Sequence, residues 1–232
     1  PVCQSTNSRD KRLRTSALVE QNGVNILIDI GPDFRQQMLT ANVKSLETIL
    51  ITHEHRDHIA GIDDVRAFNW VNKKPMDLWV EPRVAETLRR DFKYIFSDDK
   101  YPGSPNINLH IIDGHPFDIK GIKITPLRAY HYKLPVYGFR IADMAYITDA
   151  NYIQEEEKEK LHGVKYLTIN ALRMQKHISH FSLPEALKFI SEISPRKAFI
   201  THIGHQMGLT ADIEPQLPEN VTLAYDGLSV DM

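Results

Sequence analysis

Six consecutive residues, His53-Glu54-His55-Arg56-Asp57-His58, constrain this chain more than any other stretch. They follow an apolar run ending at Ile51, which reads as a strand. On an extended turn side chains alternate in direction, so His53 and His55 point the same way and can grip one cation. Asp57 and His58, at the turn into a following helix, are displaced enough to hold a second. Neutral imidazole and carboxylate are ligands for zinc, manganese or iron(II). A lone histidine pair reads as structural; four ligand-type residues in six positions at a strand end read as a metal site.

Two ions need further ligands from elsewhere in the fold, and other strands also stop on polar residues. Val24 to Ile30 runs into Asp29-Ile30-Gly31-Pro32, Met144 to Ile147 into Thr148-Asp149, and Ala198 to Ile200 into Thr201-His202. His131, Asp149 and His202 are the candidates, with Asp149 the natural bridging carboxylate. Each has a plain alternative: a loop histidine, a helix N-cap and a satisfied buried histidine.

Helices are expected over Asp33 to Leu39, after Gly31-Pro32, and over Asp63 to Val71, with Val65, Phe68 and Val71 on one face. Another is expected over Arg83 to Ile95, with Val84, Leu88, Phe92 and Ile95 on one side. Ser182-Leu183-Pro184-Glu185 is a capping box opening a helix that ends near Ile193. Tyr101 to Asn106 and His131 to Pro135 read as loops and candidate pocket walls. The mixture of strands and helices predicts an α/β layer arrangement, with residues 1–232 as a single domain.

At 232 residues, with 42% hydrophobic and 25% charged, the chain can bury a full core without disulfides. The single cysteine, Cys3, and the lack of a signal-peptide or membrane-spanning pattern predict a cytoplasmic protein. A net charge of −2 argues against holding long nucleic acid by counterion release. The basic cluster Arg9, Lys11, Arg12 and Arg14 reads either as a solvated segment or as a neighbour of an anionic substrate. Glu155 to Lys160 reads as an exposed helix face.

The stretch from Thr52 to Asp64, THEHRDHIAGIDD, resembles the signature motif of the metallo-β-lactamase superfamily. Its extension GIDDVRAF, together with LIDIGPDFRQQML, LPVYGFRI, AYITDA, ITHIGHQ and LAYDGL, resembles the PhnP-like cyclic phosphodiesterases that accompany carbon–phosphorus lyase. The likeness covers nearly the whole chain. It implies an αββα sandwich with a two-metal site at one edge. By position His53, His55 and His131 would hold one metal, Asp57, His58 and His202 the other, and Asp149 would bridge them. Asp29 would orient ligand histidines by hydrogen bonding, its plain alternative being a strand-end turn residue. His180 stands where similar phosphodiesterases carry a general acid, with His177 its nearest rival; the plain reading is a turn histidine beside a helix start.

The implied chemistry is attack on a small phosphodiester, linear or cyclic, by a hydroxide bridging two zinc or manganese ions (iron also fitting), with His180 as acid and Asp57 and Asp149 in the catalytic set. Rival readings are hydrolysis of a lactone or thioester, transfer-RNA 3′ processing, and a metal-binding protein without turnover. A homodimer is compatible with the sequence. In similar proteins a Cys-rich N-terminal segment and the second histidine of THIxH build a structural zinc site. Here Cys3 and His205 are the two candidates, and the chain, opening at Pro1, reads as entered in mid-motif. Two ligands cannot close a tetrahedral site that takes four, so an empty or partial site and a frayed N-terminus are expected.

Overall fold

A computed structural model describes residues 1–231. The chain divides into two compact units: a first, Arg14–Asp113, and a second comprising Pro1–Leu13 and the chain from Gly114 onward. Among the described residues no helix is long and apolar enough to cross a membrane.

The first unit is built on a five-stranded sheet in sequence order. β1 (Ala17–Gln21) and β2 (Val24–Ile28) form a hairpin closed by Asn22-Gly23, both at positive φ (53° and 75°), as a tight two-residue turn requires. β3 (Thr48–Leu50), β4 (Met76–Val80) and β5 (Ile107–Ile111) add in parallel. Parallel neighbours need crossovers. α1 (Phe34–Thr40) supplies the first; α2 (Arg56–Ile59) and α3 (Arg66–Asn72) the second; α4 (Pro82–Asp91) and α5 (Lys93–Phe96) the third. All of β3 is buried, as a strand inside a parallel sheet is, and the hydroxyl of its one polar residue, Thr48, donates to Asp77 O at 2.7 Å. Ile49, Leu78, Val84, Leu88 and Phe34 share its core.

Two expected helices are broken. Ile62–Val65 is a 3-10 turn before α3, because Gly61 N is held by Ile30 O (2.9 Å) and Asp64 N closes back on Gly61 O. Val71 is consequently exposed, not on a face with Val65 and Phe68. The Arg83 to Ile95 helix is interrupted at Phe92 (φ −117°, ψ 43°), with Val84, Leu88 and Ile95 still buried.

The second unit carries an eight-stranded sheet. β6 (Phe117–Ile119), β7 (Ile122–His131), β8 (Leu134–Ile141) and β9 (Met144–Ile147) run antiparallel, and β10 (Tyr152–Ile153) returns onto β7. β11 (Tyr166–Asn170), β12 (Lys197–Thr201) and β13 (Val221–Leu223) extend the sheet in parallel from β9. α6 (Glu155–Glu159), α7 (Leu183–Ile193) and α8 (Thr210–Ile213) belong to this unit. α7 opens on the expected capping box, Ser182 N donating to Glu185 Oε2 at 2.9 Å, and packs Leu183, Ala186, Phe189 and Ile190 into the core.

Three expectations fail here. His131 to Pro135 is not a loop: β7 and β8 close through Tyr132-Lys133, with Tyr132 at φ 60°, so His131 ends a strand. The Glu155 to Lys160 face is not wholly solvated, because Glu157 turns its carboxylate onto Arg128 N (2.8 Å) and Lys160 Nζ. The N-terminus is not frayed. Arg9 grips Glu214 with two guanidinium nitrogens and covers the Tyr225 ring, and Arg12 Nε donates to Ala224 O at 2.7 Å. Asp10 accepts from Thr210 N, Thr210 Oγ1 and Ser5 Oγ at 2.6–2.8 Å. Planar guanidinium forks found acceptors some 200 residues away.

Candidate metal centre

In the first unit the ligand turn leaves β3 at Leu50. Its base is docked on the end of β2, with Ile30 N donating to His58 O (2.8 Å) and Gly61 N to Ile30 O (2.9 Å). This approach has room only for glycine: a Cβ at Gly31 would lie 2.3 Å from Asp57 O, and one at Gly61 2.2 Å from Gly31 O. Three imidazoles then crowd together. His53 meets His55 edge-on at 4.5 Å between ring centres and His58 at a tilt at 4.2 Å, while Asp57 Oδ2 lies 3.8 Å from His58 Nε2. His53 and His58 are buried, His55 is exposed and Asp57 is half-buried.

Asp29 lies behind this turn. Its Oδ1 accepts from Thr52 N (2.8 Å) and its Oδ2 from Thr52 Oγ1 (2.8 Å) and His58 Nδ1 (2.7 Å). With Nδ1–H so engaged, His58 presents Nε2 as its lone-pair nitrogen. Asp29 takes φ 64°, a left-handed conformation that costs a non-glycine residue on the order of 1 kcal/mol.

In the second unit strand ends and one loop supply four groups. His131 is the last residue of β7, Asp149 follows β9, His202 follows β12, and His180 lies in the loop between β11 and α7. Asp149 Oδ1 is 3.0 Å from His202 Nε2, and Oδ2 is 3.4 Å from His180 Nε2. The His180 ring meets His131 edge-on at 4.4 Å and stacks on His202 at 5.1 Å. One donor atom each from His131, Asp149 and His180 lies within 4.8 Å of the others, close enough to hold an ion. His131 Nδ1 donates to Ser179 O (2.7 Å), leaving its Nε2 as the ligating nitrogen. Asp149 (φ 49°) and His202 (φ 53°) repeat the left-handed conformation of Asp29.

His180 is buried, and its Nδ1 lies 3.2 Å from both His177 Nδ1 and Ser179 Oγ. Burial holds the His177 pKa below the ordinary value, and the neighbouring His180 and Arg173 lower it further. His177 therefore sits behind His180, on the ring edge away from Asp149. Cys3 and His205 are both exposed, and among the described residues no group able to hold a metal includes either.

Sequence reasoning missed Thr52 and Asn170. Asn170 is fully buried; its Oδ1 accepts from Ala150 N (2.8 Å) and its Nδ2 donates to Ala150 O (2.9 Å), bracketing the residue after Asp149. Thr148 Oγ1 donates to Asp149 Oδ1 at 2.9 Å. For Thr52 a signal existed, since Ile-Thr followed by His or Asp occurs at Ile51, Ile147 and Ile200; Asn170 lies outside that pattern. Imidazoles and carboxylates without thiolate form a donor set suited to zinc, manganese or iron(II), so these residues fit divalent ions.

A family model described as Beta-lactamase superfamily domain matches residues 24–203. A structure described as a new diphosphatase from the PhnP family has TM-score 0.93 and 31% identity, covering 100% of this chain and 89% of that one. An octanoyltransferase of Porphyromonas gingivalis is 38% identical over 230 residues, 98% of this chain and 46% of that protein. A ribonuclease Z of a Mycobacterium species is 28% identical over 147 residues, 56% of this chain and 52% of that protein. The chain thus spans about half the length of the curated relatives it matches.

Proposed function

Because the chain belongs to the beta-lactamase superfamily, and within it to the PhnP-like proteins, we propose that it is a metal-dependent hydrolase acting on a small phosphodiester. Its fold class is the αββα class that the HEHRDH motif implies, and that fold implies divalent metal ions. The observation that carries the reading is Asp149, whose two oxygens face two different imidazoles, His202 and His180. A carboxylate so placed suits a bridging ligand with a proton donor beside it.

The ligand set His53, His55, Asp57, His58, His131, Asp149 and His202 is part of this proposal and rests on the resemblance. Zinc or manganese is the proposed metal, iron(II) being compatible with the same donors. When bound, two such ions supply a nucleophile from water at neutral pH and neutralise charge on phosphate oxygens. The chain's own part is positional. Asp29 and Ser179 O fix the tautomers of His58 and His131 through their Nδ1 atoms. His180, held on its Nδ1 side by Ser179 and His177, would carry a proton on Nε2 for the departing alkoxide. The net charge of −2 favours a small substrate over long nucleic acid.

One comparison favours a second reading, chemistry on an acyl group, with thioester hydrolysis as the form tested: the 38% identity to a protein named octanoyltransferase, of which this chain covers 46%. The test is a panel run on zinc- and manganese-loaded protein: bis(p-nitrophenyl) phosphate, cyclic nucleotides, a cyclic ribose phosphate, a diphosphate ester, an octanoyl thioester and a simple lactone. Diester turnover that vanishes with a chelator is expected. Preferred turnover of the thioester would replace the first reading with the second, and failure to take up metal would end both.

A further inference from the structure

We propose that Arg83 is a positioning residue for the metal-ligand turn, acting through Glu54. The inference rests on the reading above only in taking His53–His58 as a metal-holding turn. Glu54 stands between His53 and His55, and Arg56 follows His55. In an extended stretch alternate residues face opposite sides, so Glu54 points away from the imidazoles of its two neighbours, while Arg56 opens α2. Both reach α4. Glu54 Oε1 accepts from Arg83 Nη1 at 2.5 Å, and Arg83 Nη2 lies 3.2 Å from Glu81 Oε2, in the first turn of that helix and its N-cap. At the other end of the same helix Arg56 Nη2 lies 3.1 Å from Asp91 Oδ2, and its guanidinium lies over Phe92 at 5.4 Å.

The two ties are not equivalent. Arg56 is 62% exposed and shares Asp91 with Arg90 at 2.7 Å, so solvent and salt screen it. Glu54 and Arg83 are 18% and 31% exposed. Among the described residues the second oxygen of Glu54 is enclosed without a hydrogen-bond partner, so Arg83 holds the carboxylate by direct contact, while Arg90 acts on it only through its charge. Glu54 therefore stays fixed on α4, and the backbone on either side of it holds His53 and His55 at the spacing an ion requires. Without Arg83 the turn has a reason to swing Glu54 out to water, and metal binding must then reorder it.

The experiment is zinc affinity by chelator competition on the full chain, with the melting temperature of the metal-free protein measured alongside. Arg83→Gln is expected to weaken zinc roughly 10–100-fold with stoichiometry unchanged, the usual range for groups that orient ligands. Arg83→Lys, which keeps a cation within reach of Oε1, should recover most of that loss. Adding Glu54→Gln to Arg83→Gln should cost nothing further, because the contact that Glu54→Gln removes is already broken. Wild-type affinity in Arg83→Gln, failure of the lysine to recover it, or additive losses in the double variant would overturn the proposal. Should Arg83→Gln not fold, Glu54→Gln alone decides: a severalfold weaker affinity supports the tie and an unchanged one ends it. A wild-type protein that takes up no zinc or manganese is a different result, and defeats the metal reading itself.

Discussion

Asp29 and His58 face each other across 2.7 Å with neither side chain exposed, and Thr52 donates to the same carboxylate from both its backbone and its hydroxyl. One side chain thus ties the end of β2 to the residue before His53 and to the last histidine of the ligand turn. Asp29→Asn places an NH2 group where one of these acceptors stood, so a buried donor is left facing another donor. Zinc affinity is expected to fall roughly 10–100-fold, and stability by about 1–3 kcal/mol. Chelator competition and calorimetry read the two effects, and an unchanged affinity would mean that Asp29 does not orient His58 for metal.

Asn170 brackets Ala150, and Ala150 O also accepts from Phe181 N at 2.7 Å, the residue after His180. Asn170→Ala leaves the Ala150 N–H buried without that acceptor. A loss of about 1–3 kcal/mol is expected, read as a lower urea midpoint. A midpoint equal to the wild type would show that water or a shifted backbone replaces the amide.

Acid should act at Asp10. Burial pushes its pKa up, but hydrogen bonds from Ser5 and Thr210 and the charge of Arg12 outweigh burial, and the group titrates below the usual 3.8. A carboxyl whose folded value lies below its unfolded value stabilises fully above the unfolded value and loses that contribution as pH falls. The melting-temperature gap between wild type and Asp10→Asn, worth on the order of 1 kcal/mol, should be constant above about pH 5 and shrink below about pH 4. A gap that does not change down to about pH 3 would assign the effect to shape, not charge.

His180→Ala tests the proton donor. Both metals should be retained, while kcat on an alkyl phosphodiester falls roughly 10²–10⁴-fold. Nitrophenolate needs less protonation to depart, so the loss on bis(p-nitrophenyl) phosphate should be smaller. Equal losses on both substrates, or loss of a metal, would remove His180 from the acid role.

Much of the fold was legible because its signals are local. A short apolar run ending in Ile, followed by Thr and then His or Asp, announces β3, β9 and β12 and puts ligand-type residues at their ends. Ser182 and Glu185, three residues apart, announce the start of α7. His131 was harder, because Tyr132-Lys133 is not a usual turn dipeptide. Only the pairing of β7 with β8 over eight residue pairs forces Tyr132 to φ 60° and makes a tight hairpin of an apparent loop.

Residue types and their local settings are readable along the chain: three histidines and an aspartate on one turn, a second aspartate and further histidines at or near strand ends, and the family. Which distant groups meet them is settled only once the sheets and helices are assembled. Glu54 and Arg83 are 29 residues apart, as are Asp29 and His58, while Arg9 and Glu214 are 205 apart. A short window of sequence encodes backbone propensity and which side of an element is apolar. Partners at such separations are set by the order of strands in each sheet and by the packing of helices on them, and those depend on the whole chain at once.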